Sequence, residues 1–486
     1  MLQICCRHSD GKSSAQRVVV FARPFKPRTI VAASSDHSRE ETVSVTTAAA
    51  RPVEACLIEL FEHLGIGAAH IAAGRLGLTD WQGLATRHPD WVASLTLINP
   101  PILEAGPIRG LASRTLVVAG DLGPTAEGSV KLLADLPDAS SHLLRGFECH
   151  PWSDVIVERG SEIGAAMLGF LDRHPAATVA LPEGEGEAAG ISYCIRGAGP
   201  PLTLMPLDLA PSQWEPLIST LGARCCTITL GGPLLGVVGT LEARGRSTYL
   251  GLVRTVLDQV QIRPEEVILE VGGGSGVVLR EIARRTAGAN RIIDVDINPY
   301  LLREAASLAK RSGLAERMTF REGSAEAIPL AADSVDVALS FTVMEEGDAD
   351  RMLAELVRVT RPGGRVTAIV RSLDLPSWAN LPISAMLRAK VDRPGLIGSV
   401  AAAGCADASL YRRFHAAGLT ELKCFPQLVA ITPAEVSRFT VSQQQILATL
   451  TATEASEWHS AATQAEAAGT FFIATPHHCA VCTKLA

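Results

Sequence analysis

The stretch VILEVGGGSG, Val267 to Gly276, constrains this chain more than any other ten residues. An apolar run that ends in a glycine cluster reads as a buried strand turning sharply. Glycines let the turn take positive φ and let a ligand lie directly on the main chain. The following VVLREIARR sets Val278, Leu279, Ile282 and Ala283 at helical spacing. A helix therefore starts at once, with its N-terminus turned toward whatever the loop holds.

Spacing separates the ligand classes that use this device. The dinucleotide fingerprint G-x-G-x-x-G fails, because Leu279 or Val277 stands where the third glycine belongs. A phosphate-cradling P-loop needs a lysine, and none follows Gly276. What remains is E-x-G-x-G-x-G, formed by Glu270, Gly272, Gly274 and Gly276.

This motif resembles the first motif of class I S-adenosylmethionine (SAM) dependent methyltransferases. Three further segments match that family in order: RIIDVDINPYLL, FREGSAEAIPLAADSVDVALSFTV and LAELVRVTRPGGRVTAIV. The resemblance is nearest to the ubiquinone and menaquinone biosynthesis type. It implies a Rossmann-like seven-stranded sheet over residues 247–486, SAM as cofactor and a small-molecule acceptor methylated on carbon, oxygen or nitrogen. Glu270 would accept hydrogen bonds near the ligand's ammonium group, directly or through water. Asp296, 20 residues after Gly276, would hold the ribose hydroxyls, and Ile297 would lie against the adenine. Ser324 stands where many relatives carry an Asp; with the backbone of Ala325 it would face the adenine amino group. Ser340 completes the cofactor set, and Asp294 is expected at its periphery.

SAM brings its own activated methyl, so the protein's task is alignment and exclusion of water. Ligands of doubly wound sheets sit beyond the C-terminal strand ends. That makes Phe341, Thr342, Met344, Glu345 and Glu346 candidates around the acceptor, with Glu345 or Glu346 as a base. The alternative role for these two acids is charge at the N-terminus of a helix starting near Ala349. Trp378, Met386 and Leu387 would line a lid. LTELKCFPQLVAIT and GTFFIATPHHCAVCTK read as a closing antiparallel pair. HHCAVC reads as plain strand rather than a metal site, since no second ligand pair has suitable spacing. Cys405 and Cys424 lack a third thiol partner for arsenic methylation.

A second α/β domain precedes this one. Short apolar runs RVVVFA, RTIVAA, AAHIAAG, SLTLINP and RTLVVAG alternate with helical stretches over residues 17–174. Its central segment resembles the α/β-hydrolases, with a degenerate site. Arg75 replaces the elbow nucleophile before Gly77, and Gly123 stands where the acid belongs, two residues after Asp121. Only His150 keeps its expected place. A base without a nucleophile cannot run the serine route. Residues 175–190 read as a flexible linker. Residues 191–246 resemble the opening strands of the same hydrolase fold, with Pro206-Leu207 in place of the oxyanion loop. They either complete the first sheet or pack as an extension of the methyltransferase-like domain, and the second arrangement is the expectation.

At 486 residues the chain is too long for one domain. Its net charge of −7 gives no footprint for nucleic acid, and no apolar run is long enough to span a bilayer. Residues 1–16 lack the apolar core of a secretory signal and read as a disordered leader. Eleven cysteines in such a length fit reduced thiols and a cytoplasmic setting. The expectation is a methyltransferase with a non-catalytic front half. The alternative is a SAM-binding scaffold whose front half binds a partner.

Overall fold

The computed structural model describes residues 52–74, 78–100, 105–149, 154–207, 209–392, 400–433 and 436–485. They belong to a single compact unit, residues 49–486, built on two eight-stranded sheets.

The first sheet contains β1 (Ala69–Ala73), β2 (Val92–Ile98), β3 (Thr115–Leu122), β4 (Ser140–Glu148), β5 (Gly184–Ala188), β6 (Ile191–Arg196), β7 (Pro201–Leu204) and β8 (Cys226–Gly231). Their order is β4-β3-β2-β1-β7-β8-β6-β5. Within it only β6 runs antiparallel to its neighbours. Helices α1 (Val53–Leu64) and α2 (Leu78–Arg87) cover one face, where Leu57, Trp81 and Leu97 are buried. α3 (Gly123–Asp135) packs against β3. α4 (Val155–Leu171) and α5 (Glu215–Gly222) cover the opposite face over Ile98, Val118 and Trp214. Burial on both faces explains why β1 to β3 read as continuous apolar runs.

Two expectations fail here. Residues 191–246 are not a separate extension. β7 pairs in parallel with β1, Ile71 opposite Thr203, so the later block completes the earlier sheet. Nor is residues 175–190 a flexible linker, because β5 pairs along its length with β6. Ala189 and Gly190 join the two strands at φ 52° and 78°. That is the doubly positive signature of a two-residue hairpin turn. Within β5, Gly186 lies under the Tyr193 side chain, whose ring would have to shift to admit a Cβ. Alanine in place of the usual Asn hid the turn in the sequence. The runs RVVVFA and RTIVAA, and the leader, lie outside the described residues.

Next come α6 (Gly236–Arg244) and α7 (Thr248–Val260). The second sheet holds β9 (Val267–Val271), β10 (Arg291–Asp296), β11 (Met318–Glu322), β12 (Val335–Phe341), β13 (Thr360–Arg371), β14 (Trp378–Ala379), β15 (Thr420–Ile431) and β16 (Ile473–Thr483). The order β11-β10-β9-β12-β13-β16-β14 has β15 paired to β16. β9 to β13 are parallel. β16 runs antiparallel and forms the expected closing pair with β15. The two-residue β14 adds one strand to the expected seven. It belongs to the anticipated lid, with its Trp378 edge-on to Phe472 at 5.2 Å.

α8 (Val277–Arg285), α9 (Pro299–Arg311) and α10 (Ala349–Val359) link the parallel strands. α11 (Ala385–Val391), α12 (Ser409–Ala416), α13 (Val436–Leu447) and α14 (Ala452–Ala467) follow. Val237 and Val238 of α6 pack on Leu301 and Leu308 of α9. The Tyr300 hydroxyl donates to Asp154 at the start of α4, joining the two sheets.

Candidate functional site: a carboxylate-floored glycine loop

The loop after β9 is built from left-handed residues. Gly272, Gly274 and Gly276 sit at φ 67°, 59° and 75°, where any side chain would be strained. Gly273 has ordinary φ but no room, since a Cβ would lie 2.5 Å from Asp294 Oδ1. Gly273 N donates to Asp294 Oδ1 at 3.2 Å, and Gly274 N to Asp296 Oδ2 at 3.0 Å. The loop is thereby tied to the C-terminal end of β10.

Parallel register puts three acids on one face. Glu270 lies opposite Asp294, and Asp296 follows two positions on. All three are buried, with exposures of 2%, 1% and 7%. Asp296 Oδ1 also accepts from Asn298 N at 2.8 Å. Asn298, not Asp296, caps α9, so capping does not account for the acid. Glu270 Oε2 and Asp294 Oδ2 have no hydrogen-bond partner. Burial, then repulsion from Asp294 and Asp296, holds Glu270 well above the usual carboxylate range. Burial and Asp296 do the same for Asp294. Asp296 is raised by burial, with its backbone donors pulling the other way. Orphaned buried carboxylate oxygens are costly, and a cationic ligand on the loop would satisfy them. SAM, with its ammonium and sulfonium, fits these residues. Asp294, expected at the periphery, is instead part of the floor. Its alternation with Asp296 was the available signal.

The remaining cofactor residues divide. Ile297 is 72% exposed, an apolar side chain open beside Asp296, as a ring-packing residue would be. Ser324 Oγ accepts the Glu326 N–H at 3.1 Å, closing its own turn and leaving the hydroxyl proton free to donate. Ala325 is half-buried beside it. Ser340 does not join the group. It pairs with Val271, one residue out of phase with Glu270, and faces the other side of the sheet. Its Oγ is buried without a partner.

Thr342, just past β12, holds φ 59°, a strained conformation for a β-branched residue and one that clusters at functional sites. Arg244 Nη1 donates to Thr342 Oγ1 at 3.3 Å and lies 5.3 Å over the Tyr249 ring. Burial raises the Tyr249 phenol; Arg244 opposes this, and the charges of Glu270 and Glu345 add to it. Tyr249 thus feels the charge of both the cofactor floor and the candidate base. Sequence reasoning missed Tyr249 and Arg244, which come from helices outside every matched motif.

Glu345 is fully buried. Its Oε1 accepts from Arg371 N at 2.7 Å, while Oε2 is unpartnered. Burial raises its carboxyl, opposed by Arg371. Glu346 is half-exposed and pairs with the Arg371 guanidinium at 3.2 Å. The α10 N-terminus is capped by Asp348, whose Oδ1 accepts from Asp350 N and Arg351 N. Neither glutamate caps that helix.

Behind the loop, Glu242 of α6 accepts from Ser275 Oγ at 2.6 Å and takes both 2.5 and 2.6 Å bonds from Arg280 Nη2. Arg280 is 4% exposed. This buried pair fastens α6 to the glycine loop.

In the first sheet, Asp121 Oδ1 accepts from Gly146 N at 2.7 Å, and Gly123 opens α3. Arg75, Gly77 and His150 lie outside the described residues. Among the described residues no His, Cys, Asp and Glu group could hold a metal, and HHCAVC is part of β16. No described helix is long and apolar enough to cross a membrane.

This geometry agrees with comparison to known proteins. Residues 268–364 match the family model of a methyltransferase domain. Over those residues the chain is similar to methyltransferase domains. The ubiquinone/menaquinone biosynthesis C-methyltransferase UbiE of Hahella chejuensis is 26% identical over 148 residues, 28% of this chain and 59% of the relative. The UbiE of Acidiphilium cryptum is 38% identical over 105 residues, 21% of this chain and 41% of the relative. The chain thus spans about half the length of these curated relatives. Among solved structures, YcgJ of Bacillus subtilis aligns with a TM-score of 0.34 at 15% identity, covering 49% of this chain and 99% of that one. A geranyl diphosphate methyltransferase in complex with SAM aligns at TM-score 0.29 and 14% identity, covering 48% and 85%.

Proposed function

We propose that the protein transfers a methyl group from SAM to a small-molecule acceptor. The reading is carried by the unpartnered oxygens of Glu270 and Asp294 beneath the left-handed glycine loop. Those two carboxylates receive the ammonium of the bound cofactor. Asp296, already fixed by Gly274 and Asn298, accepts from the ribose hydroxyls. Ile297 packs on the adenine, and Ser324 with Ala325 faces its edge. SAM supplies a methyl on a sulfonium leaving group.

Glu345 is the base for an acceptor that must lose a proton. Its raised carboxyl and free Oε2 favour it over the surface-paired Glu346. Tyr249, Thr342 and Arg244 line the path between cofactor and base. The curated relatives are named as C-methyltransferases, which favours a carbon acceptor.

For the front half we infer an α/β-hydrolase-like sheet in permuted chain order. The segment resembling the opening strands (β5 to β8) follows the segment resembling the centre (β1 to β3), yet both share one sheet. With Arg75 and Gly123 at the degenerate positions, it acts as a scaffold rather than an esterase.

Incubation of the full chain with SAM and a metabolite extract tests the proposal. Formation of S-adenosylhomocysteine that depends on the extract supports it. SAM binding without turnover on any extract favours the scaffold reading.

A further inference from the structure

Four arginines converge on a cavity of about 360 Å³ behind the glycine loop. Arg246 follows α6, Arg280 and Arg284 lie one turn apart on α8, and Arg311 ends α9. Two acids reach the same space. Glu242 is consumed by the buried Arg280, and Glu187 of β5 lies 3.4 Å from Arg311. Arg246 and Arg284 make no side-chain hydrogen bond or ion pair with any described residue. Four positive groups against two negative ones leave a cavity that is cationic and has two guanidiniums uncommitted.

The cavity is distinct from the cofactor cleft. Its walls are α6, the start of α7, α8 and α9, with Glu187 of β5 and Pro233, just after β8, at its rim. Leu250, Leu308 and Val277 give it an apolar side. No residue of the carboxylate floor takes part.

We propose that this cavity binds a small phosphate-bearing organic anion, held between the two sheets. Guanidinium forks match phosphate oxygens in bidentate geometry. Converging like charges favour an occupant of opposite sign. The volume falls at the lower end of the range for small-ligand pockets, and the apolar wall takes the organic portion. The cofactor floor is lined by acids and this cavity by guanidiniums, so the two sites select opposite charges.

The test uses the full chain and isothermal titration with inorganic pyrophosphate at fixed ionic strength, alongside citrate and sodium chloride controls. The proposal expects saturable one-to-one binding, tighter for pyrophosphate than for citrate and unchanged by saturating S-adenosylhomocysteine. The double variant Arg246→Glu/Arg284→Glu should weaken it at least 30-fold. Should that variant misfold by circular dichroism, Arg246→Lys/Arg284→Lys, which keeps the charge and loses the forks, should weaken it several-fold. Absence of saturable binding, equal affinity in the folded variant, tighter citrate binding or displacement by S-adenosylhomocysteine would each overturn the proposal.

Discussion

Replacing Asp294 with asparagine separates a cation-binding floor from a merely structural brace. Glu270 and Asp294 are register neighbours on adjacent strands, which lie about 4.8 Å apart. At an effective dielectric of 20, two ionised groups about 5 Å apart would repel by roughly 3 kcal/mol, which bounds what the pair costs, whether as repulsion or as the work of keeping a proton bound. The Asp294→Asn change removes that cost, keeps an oxygen for the Gly273 N–H and offers a donor beside the unpartnered Glu270 Oε2. The ligand-free variant should therefore gain about 1–3 kcal/mol at pH 7, read by urea unfolding.

The pH dependence carries the same sign. The folded protein holds protons on Glu270 and Asp294 above the pH at which the unfolded chain releases them. Stability is therefore fullest below about pH 4 for these groups and is lost as pH rises through their raised folded values. Asp294→Asn should flatten that decline. It should also weaken SAM binding at least tenfold, because one carboxylate facing the ammonium is gone. A less stable variant with undiminished SAM affinity would refute the reasoning, leaving Asp294 as a support for the loop alone.

Three other substitutions probe separate parts of the site. Arg280→Met strands the buried Glu242 carboxylate and should cost about 3–5 kcal/mol in unfolding free energy; adding Glu242→Leu should recover most of it, and failure to recover would deny the pair its role. Glu345→Gln should lower turnover by about 10²–10⁴ and abolish the rise of rate with pH through the carboxyl's raised value; a stability change alone would make Glu345 an anchor for Arg371. Gly273→Ala drives a Cβ to 2.5 Å from the Asp294 carboxylate, so circular dichroism should stay native while SAM affinity falls more than tenfold; equal affinity would show that the loop can shift without penalty.

The second sheet was legible because its signals are local. The apolar runs of β9 and β10 end in glycine and acid at the positions that carry the chemistry, and Asp296 is found by counting. The closing pair β15 and β16 was equally plain. Side-chain facing was harder. Ser340 lies one residue out of phase with the floor, and only the register with Val271 shows it. Tyr249 and Arg244 reach the site through the crossing of α6 and α7, a tertiary arrangement with no sequence period. The first sheet was misjudged for a related reason. A strand pair between residues 69–73 and 201–204 is a long-range contact that chain order argues against. The Ala189-Gly190 turn lacked its usual Asn, and the edge strand GEGEA had the composition of a linker.

The central claim is that a sulfonium nucleoside rests on the Gly272–Gly276 bend with its ribose gripped by Asp296. Calorimetric titration of the purified chain with SAM, run beside Asp296→Ala, addresses it most directly. One saturable site that weakens at least 30-fold in a folded Asp296→Ala chain is the predicted result; no heat of binding, or the same affinity in both proteins, would contradict it.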